Sequence, residues 1–183
     1  MTTIAFIDDE TYILNAINRL LRAKDWKILT YSSPEQAIAE LRFKTDVNVI
    51  VSDYRMLGMN GVEVLSELKE ICPNAIRILL SGQADLNSVL QAINQAEIYR
   101  FITKPWIDED FVFTLCTAID FQKLTQENMK LSQIVRNQKA TIDNHLRELN
   151  RLERESPGLT KVSWNEDGCI DISNKNESEF DDV

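Results

Sequence analysis

The sequence predicts an α/β fold: a doubly wound sheet of five parallel strands in the order 2-1-3-4-5, with the last helix extended into a coiled coil. Three observations predict it. Short β-branched runs alternate with helix-period stretches over residues 1–119; a heptad pattern follows from Phe121; and acidic or basic residues stand just after the strand-like runs.

The strand-like runs are Ile4–Ile7, Lys27–Tyr31, Val47–Val51, Ala75–Leu80 and Tyr99–Ile102. Apolar residues spaced three or four apart fill the gaps between them. Ile13, Leu14, Ile17, Leu20 and Leu21 form the first such stretch, then Ala37, Ile38 and Leu41, then Val64, Leu65, Leu68 and Ile71. Leu86, Val89, Leu90 and Ile93 form a fourth, and a fifth begins near Asp108. A strand followed each time by a helix reads as a parallel sheet covered on both faces, and such sheets bind ligands beyond the carboxyl ends of their strands.

The last helix does not stop where a domain of this size ends. From Phe121 a heptad fits, with Phe121, Asn128, Val135, Ile142 and Leu149 at a and Leu124, Leu131, Gln138, His145 and Leu152 at d. No glycine or proline interrupts it before Pro157. This spacing predicts a coiled-coil homodimer over 120–155, with Asn128 as a register-fixing polar residue at an a position. The flanks are not complementary, since Glu148 and Glu153 would face each other, and a single solvated helix or one folded back on its own domain is the alternative. His145 at d is either a tolerated polar residue or one that loosens the coil when protonated below about 6.5. Ser156-Pro157-Gly158 ends the helix, and 156–183 is an acidic tail. Val162–Trp164 and Cys169–Ile172 suit a short hairpin there, with disorder beyond Ser173.

Composition narrows the function. A formal net charge of −9 argues against a DNA-binding role and against electrostatic hold on a membrane. No apolar run approaches the roughly 20 residues that span a bilayer. Cys72, Cys116 and Cys169 are widely spaced with no C-x-x-C pair, which suits reduced thiols in the cytoplasm. The early Asp8 and Asp9 leave no secretory apolar region, so a cytoplasmic location is expected.

The chemistry gathers at the strand ends: Asp8 and Asp9 after the first, Asp53 after the third, Ser81-Gly82 at the fourth and Lys104-Pro105 at the fifth. Each alone has an ordinary explanation as a helix cap or a turn residue. Together, at the ends of four adjacent strands, they converge on one rim. Three crowded carboxylates repel unless a cation offsets them. All-oxygen ligands with no nearby histidine or thiolate favour Mg²⁺, or Mn²⁺, over zinc. Lys104 and Ser81 add a positive charge and a hydroxyl suited to phosphoryl oxygens, which leaves a carboxylate as nucleophile. The single histidine, His145, lies far along the last helix.

Asp8-Asp9, Asp53 followed by Tyr54-Arg55-Met56 and Gly61, Ser81-Gly82 and Lys104-Pro105 resemble the receiver domain of bacterial two-component response regulators, similar to the chemotaxis regulator. The likeness covers residues 1 to about 120 and implies a flavodoxin-like sheet. It further implies that Asp53 accepts a phosphoryl group from a sensor histidine kinase or phosphotransfer protein. Mg²⁺ would be held by Asp9, Asp53 and the carbonyl of Arg55, with Asp8 acting largely through water. Ser81 and Lys104 would bond the phosphoryl group, with Ser81 and Phe101 as switch residues, and a cis peptide is expected at Lys104-Pro105. Tyr99 and Phe101 alternate on one face of the fifth strand. One departure is Met56-Leu57, where the family usually has Met-Pro. The stretch from Ser81 to Trp106 also looks like receivers attached to HD-GYP phosphodiesterases, but no His-Asp pair follows, so no output enzyme is expected in this chain. Two outputs are open: a stand-alone signalling adaptor, or a regulator whose coil and acidic tail capture a larger, unidentified protein.

Overall fold

A computed structural model describes residues 1–44, 46–82 and 96–156. The chain divides into two compact units, Met1–Met129 and Lys130–Val183.

The first unit runs β1 (Thr2–Ile7), α1 (Thr11–Leu21), β2 (Trp26–Tyr31), α2 (Pro34–Leu41), β3 (Val49–Asp53), α3 (Gly61–Ile71), β4 (Ile76–Gly82), β5 (Arg100–Lys104) and α4, a helix that spans Asp108–Glu155 and enters the second unit. All described strand pairs are parallel, and the order is β2-β1-β3-β4-β5, as the sequence predicts. The fourth helix-period stretch, Leu86 to Ile93, lies outside the described residues, as do the tail and its hairpin.

Period-two alternation sorts the strand side chains onto two faces. Ala5, Ile7, Ile50 and Leu79 join a core with Ala37, Leu41, Leu65 and Leu68 of α2 and α3. Ile4, Phe6, Val49, Val51, Ile78 and Leu80 join another with Leu14, Ile17 and Leu21 of α1 and Phe111, Leu115 and Ala118 of α4. Buried on both sides, the central strands read as nearly unbroken apolar runs, which is what made them legible.

The strands differ from the sequence-based spans at one end in particular. β3, β4 and β5 continue into Ser52-Asp53, Ser81-Gly82 and Thr103-Lys104. Apolar composition marks where a strand is buried, whereas backbone pairing carries it into the polar residues. Register then sets the heights of the functional groups: Ile7 pairs Ser52, Asp53 pairs Leu80 and Gly82 pairs Lys104.

The starts of α2 and α3 follow capping chemistry. Ser33 accepts a bond from the Gln36 amide ahead of Pro34, and Asn60 with Glu63 forms a capping box at α3. Tyr99 and Phe101 do not share a face as expected. Phe101 packs with the α2–α3 core, while Tyr99, which precedes the paired strand, lies against the other core and stacks on Phe121. Strand alternation does not extend to a residue outside the ladder.

Candidate functional site at the carboxyl edge of the sheet

β1, β3, β4 and β5 deliver their last residues to one rim. Asp8, immediately after β1, is 1% exposed, and Asp53, the last residue of β3, is 5% exposed. Lys104, ending β5, reaches both: its Nζ lies 2.8 Å from Asp8 Oδ2 and 2.7 Å from Asp53 Oδ1. A third acid, Glu10, stands at the lip with Oε1 3.8 Å from the same ammonium. Asp8, Glu10 and Asp53 offer carboxylate oxygens within 4.8 Å of one another.

Burial raises both central carboxyls above their ordinary range. For Asp8 it outweighs the lowering by Lys104 and by the Glu10 amide, and for Asp53 it outweighs the lowering by Lys104. At Lys104 burial pulls the ammonium down, but its bonds to Asp53 and Asp8 prevail and leave it raised. One partly buried cation thus serves two buried anions, and the arrangement is short of positive charge.

The backbone around Asp53 is fixed tightly. Tyr54 N donates to Leu80 O at 2.8 Å, and Gly61 N donates to Tyr54 O at 2.9 Å. A Cβ at Gly61 would sit 2.0 Å from the Asp53 carbonyl oxygen, so only glycine allows α3 to start this close to β3.

The remaining nominated residues are placed as follows. Asp9 accepts a hydrogen bond from the Leu57 amide at 3.1 Å, tying the first loop to the loop after β3. It is Glu10, not Asp9, that completes the group of three mutually close carboxylates. Arg55 is exposed in the loop after β3. Ser81 is fully buried, and its Oγ has no hydrogen-bond partner among the described residues. Phe101 is half-buried in β5, and the Lys104-Pro105 peptide is cis, as expected. Glu10 was missed because an acid three positions past the end of β1 gives no sign of which way it turns. Tyr12 donates to Glu10 Oε2, and that bond raises the Tyr12 phenol above its usual range.

Residues 4–115 match the response regulator receiver domain family. The chain belongs to that family. Membership implies phosphorylation on an aspartate in two-component signalling. This receiver is 36% identical over 129 residues to a hydrogenase transcriptional regulatory protein, HoxA, of Cupriavidus necator; the match covers 70% of this chain and 26% of that protein. The chain therefore spans about a quarter of that relative's length. Among solved structures it resembles an adenylate cyclase from Rhodopirellula baltica, with 29% identity, a TM-score of 0.68, and coverage of 73% of this chain and 98% of that one. The signal receiver domain of an HD domain-containing protein from Pseudomonas fluorescens is similar at 29% identity, TM-score 0.65, 69% of this chain and 92% of that one. No described helix of the receiver or of its extension is long and apolar enough to cross a membrane.

Proposed function

We propose that this chain is a phosphorylation switch in which Asp53 accepts a phosphoryl group from a sensor histidine kinase or phosphotransfer protein in the cytoplasm. The observation that carries the reading is Lys104 bonded at once to Asp8 and Asp53 in a buried, acid-rich rim. An Asp53 carboxylate oxygen attacks phosphorus as the bond to the donor's imidazole nitrogen breaks, giving an acyl phosphate. Lys104 exchanges its bond to Asp53 for one to the incoming phosphoryl oxygens, and the Ser81 hydroxyl, buried and without a partner among the described residues, donates to another.

The rim fits a hard divalent cation, since the three carboxylates that meet there, Asp8, Glu10 and Asp53, offer only oxygen, two of them are buried, and positive charge is short. Asp8, Asp9, Asp53 and the carbonyl of Arg55 would hold Mg²⁺, or Mn²⁺. When bound, the ion supplies charge that offsets the carboxylates and the phosphoryl oxygens.

Residues 1–119 form the receiver, 120–155 a coiled coil and 156–183 an acidic tail. Ser81 and Phe101 act as switch residues, and output passes through protein contacts as a homodimer. Support for the dimer comes from α4, where Leu124, Leu131, Val135, Ile142 and Leu149, all seam positions of the heptad, are about half exposed or more. The same surface supports a second reading, in which the coil and tail capture a larger regulatory protein. The acidic balance of the chain supports an output that does not use DNA.

Radiolabelled acetyl phosphate tests the acceptor: the wild type becomes labelled and Asp53→Asn does not. Full labelling of Asp53→Asn would remove the assignment. Light scattering after size exclusion, with and without beryllium fluoride and Mg²⁺, separates the outputs. A dimer, or a change of oligomeric state, supports the coil; a monomer under both conditions supports partner capture.

A further inference from the structure

Glu10 stands where neither the sequence pattern nor the proposed cation ligands required an acid, and its two carboxylate oxygens face different ways. Oε2 accepts the Tyr12 hydroxyl, while Oε1 lies 3.8 Å from Lys104 Nζ. Tyr12 is in the first turn of α1, two residues on, so the phenol holds a side chain that would otherwise sample several rotamers. The Glu10 backbone is also engaged, since its amide donates to Asp8 Oδ1 at 2.9 Å. Main chain and side chain are therefore both oriented with respect to the site. Exposure differs sharply along this short segment: the Glu10 side chain is 44% exposed, against 1% for that of Asp8. Glu10 is the solvent-facing carboxylate of the group and Asp8 a buried one.

We propose that Glu10, held by the Tyr12 hydroxyl, is a positioning residue of the acid site: its carboxylate forms the outer lip that draws a divalent cation from solvent toward Asp8 and Asp53. This rests on the reading of the rim as a divalent cation site. A fixed anion within a few ångströms of the ligands raises cation affinity through Coulomb attraction, which is partly screened because the lip is open to water. Removing its charge costs affinity without removing a residue assigned as a ligand. Removing the Tyr12 hydroxyl leaves the charge but frees the side chain, so it costs less.

The test uses the full chain with Mn²⁺ as the probe, free ion being read by electron paramagnetic resonance. Glu10→Gln weakens Mn²⁺ binding by about fivefold at low ionic strength, and the loss shrinks as salt is added. Tyr12→Phe weakens it by about twofold, consistent with one lost restraint. Glu70→Gln, which removes an exposed acid from α3, leaves binding unchanged. If Glu10→Gln binds as the wild type does, or loses no more than Glu70→Gln, the lip role is overturned while the cation site stands. If Tyr12→Phe matches the wild type, the holding role of the phenol is overturned. If the wild type itself takes up no Mn²⁺, the cation reading fails and this proposal fails with it. Thermal melts of each variant without metal separate a loss of affinity from a loss of folded protein.

Discussion

Among the described residues of the receiver, an ionic cluster at the carboxyl end of the strands contrasts in balance with another near the start of β4. At the first, Lys104 is shared by buried Asp8 and Asp53 with Glu10 alongside. At the second, Arg77 and Lys69 share Glu97, at 3.2 and 2.8 Å. Arg77 is as buried as Asp53, yet its guanidinium is well provided for: Nε donates to Ala96 O at 2.8 Å and Nη1 to Ala75 O at 3.0 Å. Burial still pulls Arg77 below its ordinary value, but every bond it makes is to a group already in the fold. Lys69 leads the causes that hold the Glu97 carboxyl below its usual range. Asp8 and Asp53, by contrast, are raised. A buried charge whose partners are complete is structural; a buried charge left short of partners awaits something from solvent.

The sharpest way to break this contrast is at the backbone that brings Asp53 to the rim. Gly61→Ala is expected to destabilise the fold by roughly 3 kcal/mol or more, because the new methyl group must displace the Asp53 carbonyl. Urea denaturation measures it, and a variant as stable as the wild type would show that the approach of α3 to β3 is dispensable. Arg77→Met follows, costing about 2–4 kcal/mol in the same assay, since it leaves the Ala96 and Ala75 carbonyls without their donor.

The opposite sign is expected at the acid rim. Without divalent metal, Asp53→Asn raises stability by about 1 kcal/mol, because it relieves a desolvated carboxylate and leaves Asp8 and Lys104 as a matched pair. The pH dependence follows from the raised carboxyls. The folded state holds protons that the unfolded chain releases near 3.8, so stability of the metal-free protein falls as pH rises from there through the elevated folded values. Melting temperatures between pH 4 and 7 show that fall in the wild type and a smaller one in Asp53→Asn; a fall of equal size would place the strain elsewhere. Glu97→Gln is expected to be the smallest change, leaving the melting temperature nearly unaltered, because Glu97 is largely in water and exposed pairs contribute little.

Much of this site was legible before any coordinates. Asp8, Asp53 and Lys104 follow apolar runs whose period shows a buried sheet, so their place at one rim follows from the parallel connection rule. Lys104-Pro105 was readable for the same reason, as a pair closing the fifth strand-like run, whereas Gly61 was marked only by the resemblance to the receiver family. Glu10 and Tyr99 were not. Glu10 lies in a loop, where side-chain direction depends on bonds to Tyr12 and Asp8 rather than on a repeat. Tyr99 lies outside the ladder, so the alternation that placed Phe101 did not apply to it. Gln122 shows the same limit: it falls between two named heptad seam positions, yet it is 1% exposed, its Oε1 accepting from Asn48 Nδ2 at 3.0 Å.

The amino-acid sequence by itself determined the strand and helix alternation, the order of charged residues at the strand ends and the long apolar spacing of α4, because each is a periodic or local property of the chain. Only the tertiary structure decided which acids share Lys104, that Asp9 turns to the Leu57 amide while Glu10 turns to the rim, and that Arg77 is satisfied where Asp53 is not. Those outcomes depend on partners distant in sequence, and a repeat that fixes the face of a side chain does not fix the neighbour it will meet there.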